Sequence, residues 1–173
     1  RLKRLCVTGY NFTPGCFEAL NASVEIICRG EFRCMNVTDR LVTLVARLQE
    51  VEKLDLADCV QITDASLDRI ATMTTIRSLN LTNCQALSNA GIATAANGLR
   101  SLQELILISC IRLSNDVLVH ISTLPQLQTL DLSNCIDVGD VGLRCLAESR
   151  KMKSLSLLNC RSVTYAGVTF LTT

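Results

Sequence analysis

The chain has 173 residues, 49% of them hydrophobic, which suffices for one sizeable folded domain and is too apolar for a disordered one. A formal net charge of +1, 19% charged residues and only 3% aromatic ones argue against nucleic acid or an anionic membrane as partner. The longest apolar runs, such as residues 105–110, fall well short of the roughly 20 residues that cross a bilayer, so no membrane segment is expected.

The chain opens on a repeat pattern, with neither an initiator Met nor a signal segment, and reads as a fragment of a longer protein. Leu2-x-x-Leu5-x-Val7, then Phe12-Thr13-Pro14 and Phe17/Leu20, form a loose first repeat, with Gly9 or Tyr10 where later repeats carry cysteine. A second keeps its turn, Cys34-x-x-Val37-Thr38-Asp39, but its strand, somewhere in 24–32, is irregular and accommodates an insertion. Residues 1–33 are thus irregular N-terminal repeats and 34–173 regular ones, within a single domain of about seven repeats.

From Cys34 the register is strict. Cys59, Cys84, Cys110, Cys135 and Cys160 follow at intervals of about 25 residues, each preceded by an apolar-x-x-Leu-x-Leu-x-x run such as Val51-x-x-Leu54-x-Leu56. The Leu-x-Leu step has period two, so its leucines face a core from a short strand. Behind each cysteine stands a turn: Ile62-Thr63-Asp64, Leu87-Ser88-Asn89, Leu113-Ser114-Asn115, Val138-Gly139-Asp140 and Val163-Thr164-Tyr165. Ser, Thr, Asp and Asn there cap helix N-termini, and apolar pairs at helical spacing follow, as in Leu67/Ile70, Val117/Leu118/Ile121 and Leu143/Leu146. Each unit is strand, turn, helix. Short returns make successive strands parallel neighbours with helices behind them, an α/β right-handed solenoid with a concave sheet and convex helices.

These residues resemble the leucine-rich repeat, specifically its cysteine-containing subtype, found in F-box substrate receptors and antagonist-of-mitotic-exit proteins. The resemblance implies that the cysteine turns inward after the strand, where other subtypes place an Asn that bonds the neighbouring backbone. A small thiol that tolerates burial and donates weakly suits that place. A disulfide between stacked positions about 4.8 Å apart is conceivable, but packing is favoured, which implies a reducing compartment, cytoplasmic or nuclear. A linear column offers no tetrahedral ligand set and no Cys-x-x-Cys pair exists, so no metal is expected. Cys6, Cys16, Cys28 and Cys145 lie off the column; Cys145 fits a helix core, and for Cys28 the neighbouring Arg29 makes thiolate reactivity conceivable. Asn-x-Ser/Thr triplets at Asn11, Asn21, Asn36 and Asn80 read as chance matches in a chain rich in these residues.

His120, the single histidine, falls on a helix with no nucleophile or carboxylate in pattern beside it. No phosphate loop occurs either, so neither an enzyme nor a cofactor is expected. The informative positions are those between and beside the core leucines, which line the concave face. They run Lys53, Ser78, Glu104, Thr129, Ser154; then Asp55, Asn80, Ile106, Asp131, Ser156; then Ala57, Thr82, Ile108, Ser133, Leu158. The expected protein-binding set is Lys53, Asp55, Ala57, Asn80, Thr82, Glu104, Ile106, Ile108, Asp131, Ser133, Ser156 and Leu158. Ile106 and Ile108, with Leu158 two strands away, form its apolar patch. The plainer alternatives are that β-branched side chains suit strands, or that a tail outside the sequence covers them. Arg150, Lys151 and Lys153 make a basic corner of the kind that is usually just solvated.

The resemblance implies substrate recognition in an F-box type ubiquitin ligase, with a Skp-type adaptor and cullin engaged through a portion outside the sequence, since no F-box occurs within it. The alternative is an architectural scaffold, like F-box-like repeat proteins in the dynein regulatory complex of cilia, which would place the chain in an axoneme.

Overall fold

The structure, a computed structural model, describes residues 27–33, 37–47, 49–147, 149 and 151–171. The expected first repeat, three of the four Asn-x-Ser/Thr triplets, and Cys6, Cys16, Cys34 and Arg150 lie outside the described residues.

The first leucine of each Leu-x-Leu step sits in a short strand and the second just beyond its end, and each turn block opens a helix. The strands are β1 (Ile27–Arg33), β2 (Gln49–Asp55), β3 (Ser78–Asn80), β4 (Glu104–Ile106), β5 (Thr129–Asp131) and β6 (Ser154–Ser156). Alternating with them come α1 (Asp39–Val45), α2 (Asp64–Ile70), α3 (Asn89–Gly98), α4 (Asp116–Ile121), α5 (Asp140–Leu146) and α6 (Tyr165–Thr169). The strands make one parallel sheet in chain order, so every crossover is local. Between β1 and β2 the register shifts on either side of Gly30, where the sequence departs from the regular spacing.

From β2 onward the register carries equivalent residues into straight rows. Leu54, Leu79, Leu105, Leu130 and Leu155 pair in sequence, the first four buried beneath the helices and Leu155 half-buried on the last strand. The helical pairs Leu67/Ile70, Leu118/Ile121 and Leu143/Leu146 close the core from the other side. Contacts run from each unit to the next, so the core is a continuous strip built by stacking.

The thiols occupy the place where the sheet ends and backbone carbonyls turn inward. Cys84, Cys110, Cys135 and Cys160 donate from Sγ to the carbonyls of Leu56, Leu81, Leu107 and Leu132 at 3.2, 3.2, 3.2 and 3.1 Å. Each cysteine thus satisfies a buried acceptor of the preceding unit, which water cannot reach. Burial pushes the Cys110 and Cys135 thiols up to about 12, and those of Cys84 and Cys160 are raised for the same first cause. Cys145 is half-buried against the core.

Two further columns hold the turns together. The residue before each cysteine is left-handed: Asp58, Asn83, Ser109, Asn134 and Asn159 have φ of 62°, 59°, 59°, 63° and 60°. Asn and Asp tolerate that conformation best among residues with a Cβ. Their side chains also link neighbouring units, Asn83 to Asp58 at 3.1 Å, Asn134 to Ser109 at 3.1 Å and Asn159 to Asn134 at 2.9 Å.

At the other turn, Thr63, Ser88 and Thr164 cap their own helices, each hydroxyl accepting from the amide two residues on. The acid or amide beside the cap reaches forward to the next unit. Asp64 accepts from the Ser88 amide at 2.9 Å and its hydroxyl at 2.6 Å; Asp140 accepts from Thr164 in the same way at 2.8 and 2.6 Å. Asp39 does so for Thr63, and these hydrogen bonds hold the Asp39 and Asp140 carboxyls below their usual range, against the burial that acts to raise Asp39. The helix must pass close by, which explains a glycine in its first turn: a Cβ on Gly91 would overlap the Asp64 carboxylate, and one on Gly167 the Asp140 carboxylate. Three turns lack this cap, Thr38 before α1 among them. Gly139 has no side chain to cap with, and at α4 Ser114 donates its amide to Asn89 at 3.1 Å while Asn115 enters the helix without a cap bond.

Replacing Asp64 by Ala strips two acceptors from Ser88 without touching the core. Thermal or urea unfolding is expected to show a loss of about 1–3 kcal/mol, with Asp64→Asn recovering part of it, as Asn89 serves the same role naturally.

Candidate interaction surface on the concave sheet

The helices cover one face of the sheet and the rows between the leucines line the other. Lys53, Ser78, Glu104, Thr129 and Ser154 pair along one row, and Asp55, Asn80, Ile106, Asp131 and Ser156 along the next. Across β2–β4 these rows enclose a polar depression of about 190 Å³ lined by Lys53, Asp55, Ser78, Asn80, Glu104 and Ile106 over Leu54. Ser78 donates to a Glu104 carboxylate oxygen at 2.6 Å and fixes that side chain in the depression. Ser78 belonged to the lining but not to the expected binding set; its place opposite Glu104 is visible only once the strands are in register.

Several residues expected to contact a partner also serve the strand's own end. Asp55, Asn80 and Asp131 accept from the amides of Ala57, Thr82 and Ser133 at 3.1, 3.0 and 2.9 Å. The side chain at the end of these strands therefore closes a local turn two residues on. Asn80 further accepts from the Thr82 hydroxyl at 2.7 Å.

The units of β4 and β6 do not make this bond: neither Ile106 nor Ser156 accepts from the amide two residues on. Ile106 has no acceptor, and among the described residues the Ile108 amide has neither a side-chain nor a backbone partner. Both isoleucines are half-buried on the open face. Leu158, in the same column as Ile108, is 68% exposed on the last unit. Ser133 departs from the expectation: it is 8% exposed and its hydroxyl shares a hydrogen bond of 2.9 Å with Ser156, so it spaces the surface and offers little to a partner. Lys53 is exposed, and Ala57, Thr82, Asp131 and Ser156 are half-buried along the rows.

A second apolar row runs elsewhere. Val60, Ile111 and Ile136, each just after a column cysteine, are exposed, interrupted by Gln85 and ended by Arg161. These turn residues lie outside the alternating Leu pattern that marks the strands, and Gln85 and Arg161 break their own repeat.

His120 is half-buried in the last turn of α4, in the helical layer. Among the described residues no three His, Cys, Asp or Glu side chains are arranged to hold a metal, and no helix is long and apolar enough to cross a membrane.

Parallel strands in register, helices behind them and an inward side chain after each strand define a leucine-rich-repeat solenoid. The thiol column makes it the cysteine-containing kind. The leucine-rich-repeat family pattern matches residues 72–94 and 123–147. Among solved structures, a chain of the Rad7 and Elc1 complex in yeast is similar, with 26% identity and a TM-score of 0.66 over 78% of this chain. The match spans 37% of that chain's length. The tropomodulin C-terminal domain of Caenorhabditis elegans shares the fold at 18% identity, with a TM-score of 0.55 over 78% of this chain and 89% of that one. No match is found among curated protein sequences.

Proposed function

We propose that this chain is a non-catalytic protein-interaction module whose partner docks across the concave sheet, centred on β4. The observation that carries this reading is the β4 unit, which gives up the local turn bond its neighbours make and presents Ile106 and Ile108 instead. Departures from a repeat's own rule gather where a surface is used, and solenoids act by offering many weak contacts over a rigid face. Catalysis has no support in the groups present.

Substrate recognition within an F-box type ubiquitin ligase is the finer reading. It is supported by the resemblance of the cysteine-containing repeat and by the likeness to a chain of the Rad7 and Elc1 complex. A Skp-type adaptor and cullin would then bind through a portion outside these residues, in cytoplasm or nucleus. Affinity purification of the full-length protein is expected to recover that adaptor and cullin. Stable co-fractionation with an axonemal or other large assembly, without an adaptor, would replace this reading with the scaffold one.

The surface itself is tested by Ile106→Asp with Ile108→Asp. Two buried contacts of this size each contribute more than about 1 kcal/mol at an interface centre, so at least a tenfold weaker partner affinity is expected by calorimetry, with the circular dichroism spectrum unchanged. Unaltered binding by the folded double variant would exclude this face.

A further inference from the structure

The concave face around β4 combines three features that suit one kind of ligand. Ile106 and Ile108 supply aliphatic contact. Beside them in the depression, Glu104 is held by Ser78 and has no cationic partner among the described residues. The third feature is the Ile108 amide. In neighbouring units the equivalent amide donates to a side chain on the concave face, at Ala57, Thr82 and Ser133. Ile108 therefore directs its N–H toward the same face with nothing to receive it. An unpaired donor, an aliphatic strip and a fixed carboxylate match an extended peptide: a backbone carbonyl for the amide, an aliphatic side chain for the isoleucines and a basic side chain for Glu104.

The charge of the face favours the same partner. Glu104 and Asp131 lie on adjacent strands, β4 and β5, while Asp55 and Lys53 stand together on β2, two strands from Glu104, and offset one another, so the face around Glu104 is net acidic. An acidic segment would meet this field unfavourably. Resting on the interaction-module reading above, we infer that the β4 face receives an extended peptide segment carrying Lys or Arg within a few residues of an aliphatic side chain.

Selection of random 12-residue displayed peptides on the 173-residue chain tests this directly. The expected winners pair Lys or Arg with Leu, Ile or Val. Their affinity, measured by fluorescence anisotropy with synthetic copies, falls at least tenfold with either Glu104→Lys or Ile108→Asp and weakens as salt rises. Glu104→Lys lies on the half-exposed face and leaves the core leucines untouched; an unchanged melting curve certifies the fold. Winners that are acidic, or that lose affinity with Ile108→Asp but keep it with Glu104→Lys, would overturn the basic-peptide assignment and leave the interaction module standing. Winners indifferent to both substitutions, or no winners, would overturn both.

Discussion

Raising the pH from 9 to 10.5 is expected to destabilise this protein steeply, through its cysteines. An unfolded thiol releases its proton from about pH 9, whereas burial holds the folded Cys110 and Cys135 thiols to about 12 and raises that of Cys84 as well. The folded pKa is the higher one. Stability from these groups is therefore complete below pH 9 and lost as pH climbs toward 12, because only the unfolded chain ionises in that window. The slope is about 1.4 kcal/mol per pH unit for each thiol. Three thiols over one and a half units amount to several kcal/mol, comparable with the whole stability of an ordinary domain at about 5–15 kcal/mol. Urea unfolding at pH 8, 9, 10 and 10.5 measures this, and Cys110→Ser should flatten the slope by one thiol's share. A stability that stays level to pH 10.5 would mean the thiols are not buried donors.

The second large effect concerns neighbours on β4. Leu105→Ala should cost about 2–5 kcal/mol, while Ile106→Ala should cost less than about 1 kcal/mol. Leu105 is buried and borders a small apolar gap under α3 with Leu79, Ile92 and Leu124, so truncation enlarges a void that already exists. Ile106, one residue on, points to the open face. Equal costs, or the reverse order, would mean that the strand's register is wrong and that the surface assigned to Ile106 and Ile108 is part of the core.

The leucine pairs and the cysteine column were legible in the sequence because each states its role within one unit. A period of two buries Leu54 and Leu56, and a period of about 25 aligns Cys59 with Cys84. Features that act between units were harder to read. Asp64 stands where a helix-capping residue is expected, yet its carboxylate serves Ser88 in the next unit, and the reason for Gly91 appears only beside that carboxylate. The left-handed column is also present in letters, as Asp58, Asn83, Asn134 and Asn159 directly before the cysteines.

For the interaction surface, alternation was sufficient to place Lys53, Asp55, Asn80, Glu104 and Ile106 on one face. It was insufficient to show that Asp55, Asn80 and Asp131 also close their own turns, or that Ser133 is sequestered beside Ser156. Those are contacts of particular atoms, which a period of two does not encode. Of the two units without that turn bond, β4 and β6, only β4 lines the polar depression.

The most direct test of the central claim is hydrogen–deuterium exchange of the chain with and without a bound partner or selected peptide. Added protection is expected in strand–turn peptides covering 53–57, 78–82 and 104–108, strongest at the Ile108 amide, with α3 and α4 unchanged. Protection confined to the helices, or to the turns bearing Val60, Ile111 and Ile136, would contradict that claim.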